Sequence, residues 1–479
     1  MNMLCRAITL ALGTVGFVAS AHAATYVVTA NGNAFDSKLA RKIEAAGGTI
    51  TARLPQIGVA IVQSDNADFV TRAGRTAGVR SVVEDVVLQF DVPPNTETID
   101  ENYGNPPSSG DDDTRFDLQW GHAAVDAAGA WNKGYRGAGA KVAVLDSGIA
   151  CVHPDIAPNL IAADSTSFVP GEGYCLNRVN AFNHGSHVAG TIASPDNSFG
   201  TIGVAPEAKL IAVKELSEVT GGGSFGGIIQ GIVHAADHGA DVINMSLGVR
   251  GGLPVNGPGA NGIRELVNAT ARATRYAASQ NALIVVSAGN DGRDLDKDSS
   301  TRICDSDGEC FNANLRSFPG ELPAVLTIAA TAPIGWAVDS TGSLDYLAGY
   351  SNFGQSAIDF AGPGGDSAMY GTPQGMASCT VAGLARACWV FDLVFSVGGY
   401  TQPVAGGPVF ASYSWVAGTS MAAPHVSGVA ALIIGKHGGE MAPAAVERIL
   451  RSSSDDLGKP GNDSSYGAGR VNASRAVDY

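Results

Sequence analysis

A chain of 479 residues with 45% hydrophobic content has room for one large core-forming domain and a smaller second one. Its formal charge of −15 argues against nucleic acid as a partner and leaves no basic cluster for an anionic membrane. Residues 1–23 read as a secretory signal, with Arg6 as the positive end, an apolar run over 7–20 and Ala21-His22-Ala23 as the small-residue cleavage motif. The mature protein is therefore expected to be secreted, to the exterior or the periplasm. No later run reaches the roughly 18 apolar residues of a membrane span, so no anchor is expected. Cys5 leaves with the signal, and the six remaining cysteines suit disulfides in an exported chain. Closeness along the chain favours Cys151 with Cys175, Cys304 with Cys310 and Cys379 with Cys388. A zinc site ranks lower, because no Cys-x-x-Cys pair exists.

Residues 25–89 alternate strand-like and helix-like runs, at 25–29, 36–46, 49–54, 59–64, 67–73 and 79–89. The order predicts a small β-α-β-β-α-β, ferredoxin-like α+β domain over residues 24–91. Its core is marginal at that size, so it is expected to lean on a partner. Residues 92–116, with Pro-Pro pairs and Asp111-Asp112-Asp113, predict an exposed linker of the kind proteases cut.

From residue 117 to 479, strands alternate with helices, which predicts an α/β domain with a mostly parallel sheet flanked by helices. A buried strand over 141–145 ends in Asp146, at the edge where open α/β sheets place their sites. His184 opens a small-residue helix, where it can serve as a base near neutral pH. His187, one turn on, and His425 are expected to be structural. A two-histidine metal site is the rival reading, but the Glu of the zinc-hydrolase helix is missing. Gly222-Gly223-Ser224 and Ser246-Leu247-Gly248 offer two edges that could sandwich an extended peptide by strand pairing. A strand over 282–287 leads through Ser287-Ala288-Gly289 to Asn290, whose amide can donate to an oxyanion. Residues 366–410 read as an inserted, disulfide-held excursion, with a buried strand over 389–397. Finally Gly418-Thr419-Ser420 turns into an apolar helix expected over 420–436, presenting the Ser420 hydroxyl at a helix N-terminus. Pro424 is expected to fall within the first turn.

Together these pieces supply a nucleophile, a base, an acid that orients the base and an amide donor, in the order Asp, His, Asn, Ser. Val144-Leu145-Asp146-Ser147-Gly148-Ile149, His184-Gly185-Ser186-His187-Val188-Ala189-Gly190-Thr191, Ala288-Gly289-Asn290 and the run from Gly418 to Gly428 closely resemble the subtilisin-like serine proteases, or subtilases. The resemblance implies that Ser420 attacks the scissile carbonyl, His184 carries the proton and Asp146 fixes the imidazole. It implies an oxyanion donor in Asn290, substrate edges at 222–224 and 246–248, and a pocket wall at 287–289. It further implies that residues 24–91 are a propeptide that inhibits the enzyme and is removed by self-cleavage. The expected protein is a monomeric endopeptidase acting on polypeptides through an acyl-enzyme, with no cofactor needed for catalysis. A transpeptidase or peptide cyclase on the same fold, and a non-catalytic peptide-binding protein, are the alternatives.

Subtilases often bind structural calcium. Asp294, Asp296, Asp298 and Asp305 fall at positions one, three, five and twelve of an EF-hand-like loop. The match is imperfect, since Ser299 stands where the turn glycine belongs and Lys297 adds a positive charge. A solvated acidic loop tied off by Cys304 and Cys310 is the competing expectation.

Overall fold

The computed structural model describes residues 23–91, 97–99, 111–297, 300–304 and 310–479. The segment read as a signal thus lies almost wholly outside the described residues, as do most of the segment read as a linker and both Asp298 and Asp305. Among the described residues no helix is long and apolar enough to cross a membrane.

The N-terminal unit is a four-stranded antiparallel sheet in the spatial order Thr49–Leu54, Val59–Ser64, Ala24–Ala30, Val79–Glu84. Asp36 caps the helix Ser37–Ala45 by accepting from the Leu39 N–H at 2.7 Å. Val28, Ile43, Val62 and Phe69 fill the space between that sheet and its helices. On the other face Val27, Val59 and Ile61 share a core with Phe225, Ile228 and Ile229 of the helix Phe225–Asp237. The small domain therefore gains from a neighbour the apolar burial it cannot supply alone.

The expected single strand over 79–89 is broken in two. After Glu84 the chain leaves the sheet, and the Asp85 carboxylate accepts from the Gly226 N–H at 3.0 Å, at the N-terminus of the helix Phe225–Asp237. A carboxylate is favoured there by the unsatisfied N–H groups and the helix dipole. Beyond that turn Val87–Gln89 forms a separate strand, which pairs with the large domain.

The large domain is built on a sheet in the order Tyr346–Leu347, Leu326–Ala332, Leu283–Ser287, Val242–Met245, Lys141–Asp146, Lys209–Lys214, Thr166–Ser167, with Phe360–Pro363 also beside Leu326–Ala332. All pairings are parallel except that of Tyr346–Leu347. Successive residues point to opposite faces, so Val142, Val144, Leu210 and Ala212 enter one core while Ala143, Leu145, Ile211 and Val213 enter the other. This two-sided burial is why those strands read as unbroken apolar runs.

The segment 366–410 keeps its expected disulfide but not its expected strand. Its first half is a hairpin, Ser378–Val381 against Leu384–Ala387, closed by Cys379–Cys388. The apolar run at 389–397 is not one strand. Cys388–Asp392 is a short 3₁₀ turn, pinned by Asp392 accepting from the Gly335 and Trp336 N–H groups at 2.8 Å each, and the strand runs from Val394 to Thr401. That strand pairs with Phe410–Val416 and Ala181–Phe182, and it packs on the helix His184–Ala193. The second half of the excursion is therefore a support for the histidine helix. The other two disulfides, Cys151–Cys175 and Cys304–Cys310, also join the expected partners.

The linker is not uniformly exposed. Glu97–Ile99 forms a strand against Phe410–Val416, and Ile99, Asp113 and Arg115 are buried. Polar composition marked the segment as loop, but two of its polar residues are drawn in by a loop and a ring: Asp113 accepts from the Asn197 and Phe199 N–H groups, and the Arg115 guanidinium lies over the Tyr413 ring.

Candidate active site

The site is assembled at the carboxyl edge of the parallel sheet. Val144 is opposite Asn244 and Met245 is opposite Val286, so Asp146, Ser246 and Ser287 end neighbouring strands at one level. His184 begins its helix beside Asp146, capped by the Asn183 side chain, which accepts from the Ser186 N–H at 2.8 Å. The approach is close. A Cβ on Gly185 would stand 2.2 Å from the Gly148 carbonyl oxygen and 3.1 Å from the Asp146 side chain, so glycine is required there.

His184 Nδ1 lies 3.0 and 2.9 Å from the two Asp146 carboxylate oxygens, with both side chains buried. Asp146 also accepts from the Ser147 N–H at 2.6 Å. The carboxylate therefore fixes Nδ1 as the protonated nitrogen and leaves Nε2 as the free base. Nε2 has no hydrogen-bond partner among the described residues. Ser420 Oγ is turned towards the Ser246 carbonyl at 3.2 Å and is not hydrogen-bonded to His184 Nε2.

The serine helix starts at Thr419, and its residues are buried through Ile434. Pro424 is consequently its sixth residue, not part of a partner-free first turn. Its missing N–H leaves the Ser420 carbonyl without an intrahelical donor. Ser246 Oγ fills the gap, donating to that carbonyl at 2.8 Å, and is itself held by Asn244 Nδ2 at 2.9 Å. Asn244 Oδ1 in turn accepts from Ser427 Oγ. The proline thus ties the Ser420 backbone to the Ser246 edge.

Asn290 is oriented from behind. Its Oδ1 accepts from Thr419 N and Thr419 Oγ1 at 2.9 Å each, which aims Nδ2 outward, where it donates to a carboxylate oxygen of Asp91 at 3.1 Å. An anionic oxygen is thus what this amide already serves. Ser287 Oγ donates to the Leu247 carbonyl, and the Ala288 carbonyl accepts from Asn352 Nδ2 at 2.9 Å. Asn352 Oδ1 accepts from the Asp291 and Arg293 N–H groups, so one buried amide shapes the whole turn after Gly289.

The two glycine-rich edges are filled by the chain itself. Gln89, Leu88 and Val87 pair antiparallel with Gly222, Gly223 and Ser224. On the other side Phe90 bridges Val249, and the Asp91 N–H donates to the Gly248 carbonyl at 2.9 Å. The segment 87–91 is a middle strand running towards Asn290.

His187 Nε2 lies 3.2 and 3.1 Å from the Val394 and Ser414 carbonyls, and burial drives its pKa down to about 3. His425 accepts the same structural description: Nδ1 lies 2.8 Å from the Met421 carbonyl, and burial brings it down to about 4. A histidine kept neutral in the fold but charged when unfolded stabilises above about pH 6.5 and loses that contribution as pH falls towards its depressed value. Between pH 6.5 and 4, His425→Gln should flatten the fall in unfolding free energy by up to one proton's slope, about 1.4 kcal/mol per pH unit. Chemical denaturation across that range checks it, and parallel slopes would refute it.

Of the four acids at the calcium-like spacing, Asp298 and Asp305 lie outside the described residues. Asp294 is paired with Lys297, while Asp296 accepts from the Gln355 and Ser356 N–H groups and from Ser356 Oγ. Each carboxylate is drawn to a nearer donor, and among the described residues no metal-binding group of three forms around them. Among the described residues the acids that come together are Asp111, Asp112, Asp113 and Asp196. Burial and the neighbouring Asp111 raise Asp113 to about 8.

Two features had no sequence signal. Lys214 is buried behind the Asp146 strand, donating to the Ser147 carbonyl and paired with Glu172 at 3.1 Å. Glu215, next to it, is fully buried with neither carboxyl oxygen hydrogen-bonded among the described residues, and burial together with the charge of Asp146 pushes its pKa well up.

The sequence is 32% identical over 360 residues to M-protease of Shouchella clausii, covering 75% of this chain and 70% of that one. It is 32% identical over 361 residues to subtilisin E of Bacillus subtilis, covering 75% and 71%. In fold it is similar to the epidermin leader peptide processing serine protease of Staphylococcus aureus, with a TM-score of 0.70 at 20% identity, covering 95% of this chain and 98% of that one. Fervidolysin from Fervidobacterium pennivorans, a keratinolytic enzyme, gives a TM-score of 0.67 at 23% identity, covering 96% and 61%. The sequence model of the subtilase family matches residues 137–469, a span that opens just before the Asp146 strand and closes beyond the Ser420 helix. On that match and those relatives, the chain belongs to the subtilase family.

Proposed function

We propose that the protein is a secreted serine endopeptidase made as a precursor that holds its own chain in the substrate cleft. The observation that carries this reading is the strand 87–91, hydrogen-bonded between the 222–224 and 248–249 edges and pointing at Asn290. A cleft that binds an extended backbone this way reads any polypeptide by main-chain pairing, with the 287–289 wall beside the residue before the cut.

In the reaction Ser420 Oγ leaves the Ser246 carbonyl, passes its proton to His184 Nε2 and attacks the scissile carbonyl. Asp146, already at 2.9 Å from Nδ1, stabilises the imidazolium that results. The carbonyl oxygen takes the place of the Asp91 carboxylate on Asn290 Nδ2, helped by the Ser420 N–H in the first turn of its helix. His184 then protonates the departing amine, and water, activated by the same imidazole, releases the acyl group. No metal enters these steps. Residues 24–91 act as the inhibitor, and maturation cuts between Gln89 and Asp117.

Hydrolysis of a denatured generic protein, blocked by a serine-directed phosphonate, together with a mature N-terminus between those residues, tests the reading. Phosphonate-insensitive cleavage, or a mature terminus inside residues 25–88, would contradict it.

A further inference from the structure

Lys214 and Glu172 take no part in the steps above, yet together they join the chain around Asp146 to one edge of the cleft. Lys214 stands opposite Asp146 in neighbouring parallel strands, and its side chain is 1% exposed. A cation buried so deeply has to be paired and hydrogen-bonded. Its Nζ donates to the Ser147 carbonyl at 2.5 Å, while the Ser147 N–H donates to Asp146 Oδ1 at 2.6 Å. Its counter-ion is Glu172, at 3.1 Å.

The same carboxylate reaches in the other direction. Glu172 Oε1 accepts from Ser217 Oγ at 2.5 Å, and Oε2 accepts from the Glu218 N–H at 3.0 Å. Ser217 in turn organises a turn: its Oγ accepts from the Val219 and Thr220 N–H groups, and its N–H donates to the Gly222 carbonyl at 2.9 Å. That turn delivers Gly222, Gly223 and Ser224, the edge on which Gln89, Leu88 and Val87 are paired. Those three stand two to four residues before Asp91, the residue that meets Asn290. The edge therefore holds residues set back from the cut bond.

Glu172 is itself anchored to the run that follows Asp146. The Ile149 N–H donates to the Tyr174 carbonyl at 2.9 Å, the Leu176 N–H donates to the Ile149 carbonyl at 2.7 Å, and Cys151–Cys175 closes the junction. The fit is tight, since a Cβ on Gly148 would stand 2.5 Å from the Tyr174 carbonyl oxygen. Arg178, just beyond, donates to the Glu218 carbonyl at 2.8 Å and ties the same turn a second time.

We propose that Glu172 is a positioning residue that sets how strongly the enzyme prefers substrates with a long segment before the cut bond. It fixes the 217–221 turn, and through it the 222–224 edge, relative to the Asp146 strand. The inference rests on the protease reading above and adds that this preference is governed by a carboxylate acting through Ser217 and Glu218.

Two substrates with the same residue at the cut bond test it: a p-nitroanilide with five residues before the bond, matching 87–91, and the ethyl ester of a single acylated residue. Only the first can lie along 222–224. In the full-length protein allowed to mature, Glu172→Gln should raise KM for the long substrate about tenfold, the effect of losing a charge-assisted hydrogen bond, with kcat and the ester's kcat/KM within about twofold of the parent. Ser217→Ala removes the hydroxyl but keeps the Lys214–Glu172 pair, and should raise the same KM about threefold while sparing the ester. Because it leaves the buried cation paired, Ser217→Ala decides the matter if Glu172→Gln does not fold. An unchanged long-to-short ratio in either folded variant, or a loss of kcat shared equally by both substrates, overturns this inference alone. A parent inert to both substrates overturns the protease reading and this inference with it.

Discussion

Ser420→Ala is expected to abolish peptide-bond hydrolysis and leave the precursor uncut, because one hydroxyl serves both acts. The loss in kcat should approach 10⁶-fold, about the size found on removing the nucleophile of a subtilisin. The fold should survive, since Ser420 Oγ makes one 3.2 Å contact with the Ser246 carbonyl, whereas the helix is fixed through the Ser420 carbonyl and Ser246 Oγ. Thermal melting of the variant should therefore match the parent's precursor form. Gel analysis of the expressed chain checks the processing, and a fully matured, active Ser420→Ala protein would refute the assignment.

Asn290→Ala should lower kcat by about 10² to 10³ with little change in KM, the loss produced by deleting the equivalent type of amide donor in a subtilisin. The asymmetry follows from geometry. Asn290 Nδ2 already meets an anionic oxygen, that of Asp91, and charge of that kind appears on a substrate only as the transition state is approached. Its Oδ1 also positions Thr419, so part of the loss could come from a shifted helix start. Asn290→Asp separates the two effects. It keeps an oxygen for Thr419 while removing the donor, and should be at least as damaging as alanine. A variant whose KM alone rises would contradict the role.

What the sequence made legible was local. The strand before Asp146 is an unbroken apolar run because both faces are covered, and the small residues after His184 and Ser420 announce helices that must pack closely. The three disulfides followed from closeness, and the N-terminal unit from its alternating runs. The misjudged parts were settled by partners far away in sequence. Ile99 is drawn into a core by residues more than three hundred positions later. Pro424 matters because Ser246 repairs the carbonyl it strands, a contact invisible to helix rules. The run at 389–397 breaks where Asp392 reaches back to Gly335 and Trp336. Of the acids at a cation-binding spacing, Asp294 pairs with its near neighbour Lys297 and Asp296 with Ser356, while the other two lie outside the described residues. Spacing along a chain states which groups could converge, while nearby donors decide which of them do.

The central claim is that Ser420 is made nucleophilic by the buried His184–Asp146 pair. Mass-spectrometric mapping of a serine-directed phosphonate on the mature protein tests it most directly, with His184→Ala as the control. The account predicts one adduct per chain, on the peptide containing Ser420, formed at least a thousandfold more slowly in the control. An adduct on another serine, or equal labelling rates in both proteins, would contradict it.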